Sequence, residues 1–210
     1  MVCATCAVAP AGALAGTLDQ QQTVFDVGTG TIDSGETPAQ TFTAGLTGGI
    51  DQVDLYIDSH GGPTTPVTIE IRDTSGGDPG ATVLATQSVP AAAITAAGSW
   101  VTVNFTTPAP VTAGTQYAVL AYDPALSMSQ FYELGYAGDV YAGGRFTYAS
   151  SSPPAGPWAA GTTADLAFKT YVAPPQAATG QRAAALKKCK HKHSKKKRRK
   201  CRKKAKLLPL

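Results

Sequence analysis

Fourteen lysines and arginines stand among the twenty residues from Lys187 to Lys206, and no acid interrupts them. They are Lys187, Lys188, Lys190, Lys192, Lys195, Lys196, Lys197, Arg198, Arg199, Lys200, Arg202, Lys203, Lys204 and Lys206. Such a run breaks no bonds. It binds polyanions through Coulomb attraction and counterion release, without stereospecificity. Near an anionic surface each cation contributes about 1 kcal/mol, so a fraction of them engaged would hold a protein there. In an exported chain the polyanions to hand are envelope polymers and lipid headgroups. In a chain that is not exported, nucleic acid is the natural partner, and the run would equally pass for a nuclear basic signal. A solubilising tail without a dedicated partner is the plain alternative.

The same stretch holds Cys189, His191, His193 and Cys201, two thiols and two imidazoles, enough on paper for a tetrahedral zinc site. The surrounding positive charge opposes a dication, although it also favours thiolate. A Cys189–Cys201 disulfide, or an intermolecular one, is the competing expectation. The sequence as a whole calls for no metal and no cofactor.

Aromatic side chains offer a second chemistry. Phe131, Tyr132, Tyr136, Tyr141, Phe146 and Tyr148 crowd into eighteen residues, and Trp158 follows. A flat platform built from Tyr132, Tyr136, Tyr141, Tyr148 and Trp158 would stack sugar rings, with Asp139 or Arg145 beside it as hydrogen-bond partners. Aromatics at alternate positions of late strands also serve as core and cross-strand packing pairs. The loop acids Asp33, Glu36, Asp73, Asp78 and Asp123 raise calcium as a third chemistry, yet they form no recognisable calcium loop, and acids in turns commonly cap backbone amides.

For catalysis the inventory is thin. His60 is the one histidine before the basic run, and it precedes Gly61-Gly62-Pro63, where exposure is the default. No G-x-S-x-G, H-E-x-x-H or phosphate-cradling loop occurs. Ser194-x-x-Lys197 fits a Ser/Lys pattern only because lysine is everywhere around it. Glu70 and Glu133 could act as a glycosidase pair only if the fold brought them together. The expectation is a protein that is not an enzyme.

What must position these groups is legible from periodicity. Val53, Leu55 and Ile57 alternate with Asp54, Tyr56 and Asp58; Val67, Ile69 and Ile71 alternate with Thr68, Glu70 and Arg72. Val101, Val103 and Phe105 repeat the pattern, as do Leu166 and Phe168. Each is a half-buried strand. Tyr117 to Tyr122 is continuously apolar and reads as a central strand. Turn chemistry separates them at His60 to Pro63, Ser75 to Gly80, Ala113-Gly114 and Gly143-Gly144. The one helical stretch expected before residue 173 is the short run Ala91 to Ala97. An all-β chain with an antiparallel two-sheet sandwich, jelly-roll-like, is the expected fold, trailed by a basic tail that is disordered or partly helical.

Charge divides the chain more sharply than any motif. All 14 acids precede residue 187, where only four of the 18 Lys and Arg lie, so the net +4 combines a body of −10 with a tail of +14. Residues 1–15 are apolar and end in Ala13-Leu14-Ala15, which suits signal peptidase. They read as the remnant of a secretory signal, or else as an Ala-rich N-terminus of a cytosolic protein. Cys3-x-x-Cys6 is half a zinc motif with no partner pair nearby. Residues 16–39 then form an N-terminal segment, 40–172 the sandwich, 173–186 a linker opened by Pro174-Pro175, and 187–210 the polybasic tail. No run is long and apolar enough for a transmembrane helix.

The order of several loose motifs resembles a known family. Gln40-Thr41-Phe42-Thr43-Ala44-Gly45 opens a strand, Ile50 to Ile57 follows, and Val67-x-Ile69-x-Ile71 leads to Asp78-Pro79-Gly80 and Val83-Leu84-Ala85. Trp100-Val101-x-Val103-x-Phe105 and Val111-Thr112-Ala113-Gly114-Thr115-x-Tyr117 complete the set. From Gln40 to Val172 the chain is similar to the choice-of-anchor domains of secreted bacterial surface proteins, the R type in particular. The resemblance implies an extracellular β-sandwich joined to a C-terminal attachment signal, and it transfers no catalytic residue. Here a polybasic tail stands where a sorting motif or hydrophobic tail is usual. The combined expectation is a secreted, non-catalytic module at the cell surface or envelope, adhesive or structural, held to anionic polymers by its tail. A carbohydrate-binding module and a nucleic-acid-associated protein are the alternatives.

Overall fold

The computed structural model describes residues 16–25, 28–161, 164–174, 181–191 and 194–206. The reading of residues 1–15 as a signal remnant, and Cys3 and Cys6 with it, lies outside them. The chain forms two compact units, residues 1–173 and 174–210.

The first unit is built from thirteen strands: β1 (Thr17–Gln22), β2 (Gly28–Ile32), β3 (Thr37–Thr43), β4 (Gly48–His60), β5 (Val67–Ser75), β6 (Asp78–Val89), β7 (Ser99–Val111), β8 (Gln116–Tyr122), β9 (Phe131–Gly138), β10 (Phe146–Ala149), β11 (Trp158–Ala160), β12 (Ala164–Leu166) and β13 (Phe168–Ala173). One sheet runs β1-β13-β4-β9-β12, with β7 on the other side of β4 and β2 also on β9. The second runs β11-β10-β3-β8-β5-β6. Every pairing is antiparallel, so the expected two-sheet sandwich is what forms.

Alternation decides which face meets which. Val53, Leu55 and Ile57 of β4 turn inward with Leu134 of β9, and Ile69, Ile71 and Val119 line the facing sheet; all are buried. Phe42 of β3 meets Phe168 of β13 across the sandwich at 5.9 Å between ring centroids. β8, read as central from its apolar run, lies between β3 and β5. The helical stretch expected at residues 91–97 shrinks to one 3₁₀ turn, Ala91–Ala93, before Gly98 (φ +70°).

Two boundaries differ from the sequence reading. Residues 16–39 are not a separate segment: β1 pairs with the last strand, Thr17 opposite Val172, and β2 pairs with β9. Gln-rich β1 was hard to see because as an edge strand it buries only Gln22 fully. At the other end, helix α1 (Gln181–Lys190) begins inside the presumed linker and runs into the basic tail, followed by α2 (Lys195–Ala205).

Candidate functional site: a cationic hairpin and a polar cluster on the sheet

Cys189 and Cys201 are bonded, with Cα atoms 5.6 Å apart, and they fasten α1 to α2 as a short helical hairpin. Neither helix would persist by itself. Each is ten or eleven residues long, a length at which isolated helices are marginal. In α2 like charges sit three and four residues apart, which weakens a helix further, and no acid occupies its first turn. Arg202, Lys203 and Lys204 in its last turn are the cations that favour the helix dipole. The disulfide therefore supplies the closure that local propensity withholds. Cys189 and Ala205 are buried within the hairpin, while nearly all the cations are exposed.

Lys195, Arg198, Arg199, Arg202, Lys203 and Lys206 recur at helical spacing and line a recess of about 550 Å³. The sequence-identified cations thus acquire a face: five of them share one side of α2, and Lys206 continues it at the C-cap. Lys192 and His193 lie outside the described residues, and His191 is exposed. The bonded cysteines correct the zinc reading of Cys189, His191, His193 and Cys201, because a disulfide sulfur has no thiolate to offer a metal.

The aromatic platform is also corrected. Tyr132 is wholly buried, and its hydroxyl donates to the Thr65 carbonyl at 2.6 Å. Tyr136 and Tyr148 each stack on Phe146, at 6.0 and 6.2 Å. Tyr141 meets Phe168 edge-on at 5.2 Å, and its hydroxyl donates to Gln20. Burial pushes the Tyr141 hydroxyl up to about 12. Trp158 sits apart on the edge strand β11. Alternation on β9 and β10 turns Tyr132, Tyr136 and Tyr148 toward the core, and Tyr141 packs against it from the loop after β9, so these four rings are spent on packing.

The acids read as loop residues serve backbone amides and an ion pair, and two of them are in strands: Asp73 on β5 and Asp78 at the start of β6. Asp33 accepts from Gly35 N–H, Asp73 from Thr82 N–H and Asp123 from Ala125 N–H, while Asp78 pairs with Arg145 at 2.6 Å. Glu70 and Glu133 belong to different sheets and point to opposite outer faces, so they form no glycosidase pair. Glu70 is instead clasped by Arg72 at 2.7 Å and by the Tyr122 hydroxyl at 2.9 Å.

Sequence reasoning missed a cluster on the outer face of the first sheet. Asp58 and His60 are two apart on β4, so they share a face, and register puts Glu133 of β9 directly opposite Asp58. His60 Nε2 lies 3.3 Å from Asp58 Oδ1 and 3.0 Å from Glu133 Oε2. Burial raises the Asp58 carboxyl above its ordinary range; Glu133 adds to the effect and His60 opposes it. Phe131, opposite His60 in register, stacks on the imidazole at 4.8 Å and 10°. The Gly61-Gly62 turn sets the end of β4: a Cβ on Gly61 would fall 1.8 Å from the Ser129 carbonyl oxygen. Gln130 clamps that turn by donating to the Gly61 carbonyl at 3.2 Å. Asp58-x-His60 on an alternating strand was the available signal; the third member needed the β4–β9 register.

Beside this cluster, Phe25 lies flat on Tyr56 at 3.8 Å and Trp100 meets Tyr56 edge-on at 5.9 Å. Gly135 makes room for Phe25, whose Cβ is 2.9 Å from where a Gly135 side chain would begin. Lys169 Nζ covers the Trp100 ring at 4.1 Å. Among the described residues no helix is long and apolar enough to cross a membrane. Comparison with family models finds no match, and comparison with curated proteins finds none.

Proposed function

We propose that the protein is a non-catalytic β-sandwich module carried outside the cytoplasm and held at anionic envelope polymers by its C-terminal hairpin. The observation that carries the reading is the joining of α1 to α2 through Cys189 and Cys201 in the most cationic part of the chain. A disulfide on which two weak helices depend suits an oxidising compartment. That favours export over the cytosol, and with it envelope polymers over nucleic acid. The resemblance of residues 40–172 to choice-of-anchor domains supports the same location and an adhesive or structural task.

Physically, the hairpin works as a charged clip. Holding five cations on one face of α2, continued by Lys206 at the C-cap, raises the local potential, and a polyanion laid along that face releases counterions and relieves repulsion among the side chains. Recognition is by charge density rather than by sugar or base.

The test is retention of the full chain on immobilised polyphosphate, duplex DNA and neutral dextran across a salt gradient, beside a variant with Lys195, Arg198, Arg199, Arg202, Lys203 and Lys206 all changed to Gln. Retention on polyphosphate that falls steeply with salt and collapses in the variant supports the reading. Equal retention of the two proteins would remove it. Retention on DNA alone would transfer the hairpin to nucleic acid.

A further inference from the structure

Asp58, His60 and Glu133 bring three metal-ligating atoms within 4.8 Å of one another, on two hydrogen-bonded strands of the rigid sheet. The two separations from His60 are those of neighbouring ligands around one ion. Donors about 2.0–2.1 Å from a tetrahedral centre stand roughly 3.3 Å apart, and about 2.9 Å apart at neighbouring octahedral corners. The imidazole nitrogen here is 3.3 Å and 3.0 Å from the two carboxylate oxygens. His60 Nε2 and Asp58 Oδ1 are shielded from solvent and face each other and Glu133 without forming an aligned hydrogen bond. Shielded polar atoms without an aligned hydrogen bond cost free energy, so the arrangement is incomplete as it stands.

We propose that this cluster is a binding site for a divalent transition-metal ion of the zinc class. The donor chemistry selects the ion. Two carboxylates supply the charge that cancels a dication, and an imidazole nitrogen favours zinc, copper or nickel over the all-oxygen shells of calcium and magnesium. Preorganisation comes from the sheet. Antiparallel register holds Asp58 opposite Glu133, the ring of His60 is fixed in plane by Phe131, and the Gln130 clamp on Gly61 fixes the strand end. Three protein ligands leave at least one coordination position facing solvent, open to water or to a carboxylate or phosphate oxygen from outside. The site lies wholly within the sandwich and does not depend on the proposed role of the hairpin.

The experiment uses the full chain with His191 and His193 changed to Ala, so that tail imidazoles do not compete. Cobalt(II) is titrated as a spectroscopic stand-in, zinc is titrated by calorimetry, and thermal unfolding is followed with and without zinc. The expected result is one equivalent bound, a visible cobalt spectrum displaced by zinc, and a melting temperature raised by zinc. Excess calcium or magnesium should not displace the cobalt. His60→Ala and Glu133→Gln should each weaken zinc at least tenfold; Glu133→Gln keeps the shape of the side chain and gives an answer if the histidine variant fails to fold. Binding that is unchanged in a folded His60→Ala or Glu133→Gln protein, or no binding at all to the parent, would overturn the site.

Discussion

Asp58 on β4 and Glu133 on β9 face each other directly across an antiparallel pair, and the one imidazole near them, His60, points its Nε2 between their oxygens. Like charges directly opposite on a sheet are destabilising, so the pair stands only because something between them answers it. That duty falls to His60, 3.3 Å from Asp58 and 3.0 Å from Glu133.

Burial and Glu133 together hold the Asp58 carboxyl above its ordinary value of 3.8 despite His60. A carboxyl raised in the folded state is neutral in both states well below that value, and its ionisation is penalised only in the fold as pH rises. Stability from this group is therefore lost upward from about pH 4. Asp58→Asn should melt higher than the parent at pH 7 in chelator, with the gap closing near pH 3.5. Equal gaps at both pH values in thermal scans would contradict the assignment.

Tyr122 and Tyr141 both have hydroxyls raised from 10.0 to about 12, chiefly by burial, with Glu70 adding to the effect on Tyr122. Their contribution to stability is complete below pH 10 and disappears as pH climbs through 12. Spectrophotometric titration should show at least these two tyrosines ionising late, with Tyr132 and Tyr171 also displaced upward by burial, together with loss of the sheet signal in circular dichroism. In Tyr122→Phe one late tyrosine should vanish. Early, freely reversible ionisation of all eight tyrosines would refute this.

Asp165 has no solvent exposure and accepts from Gln40 Nε2 at 2.8 Å, Val140 N–H at 2.9 Å and Tyr141 N–H at 2.8 Å. Removing it strips a partner from one buried side-chain donor and two part-buried backbone donors, at roughly 1–3 kcal/mol each before any relaxation. Asp165→Ala should therefore cost at least about 3 kcal/mol in denaturant unfolding and loosen the 139–145 loop to proteolysis. A cost below about 1 kcal/mol would show that water replaces the carboxylate.

Reducing Cys189–Cys201 opens a loop with a sequence separation of 12, which removes about 3 kcal/mol from a hairpin that has little else. Helical ellipticity should fall on reduction while the melting of the sandwich stays put. Adding polyphosphate to reduced protein should restore part of the helix by neutralising the cations of α2. Loss of the sandwich transition on reduction would show instead that the hairpin supports the body.

Much of the body was legible from alternation. Strands around Val53, Ile69 and Val101 follow from period-two apolar residues and β8 from its unbroken apolar run, whereas the alternation read through Leu166 and Phe168 divides at Ala167 into β12 and β13. What stayed hidden was long-range pairing. β1 is polar and Gln-rich, and only its pairing with β13 reveals it as a strand. The aromatic crowding between residues 131 and 158 suggested a platform, but inward alternation and the Tyr136–Phe146 and Tyr141–Phe168 contacts turn it into packing. Asp58 and His60 were visible as neighbours, whereas Glu133 lies 73 positions beyond His60 and joins them only through register. In the tail, partial helix was among the expectations, but its bounds were hidden because so many adjacent cations argue against it, and the crosslink outweighs that.

Thr17 opposite Val172 has a consequence for synthesis. A nascent chain that ends before Phe168 lacks the strand that fills the gap between β1 and β4, so both expose bare backbone edges. The sandwich cannot close until almost the whole body has been made. A polypeptide leaving the cell during translation would thread out unfolded and acquire its shape on the far side, its last structural strand arriving just ahead of the cationic clip.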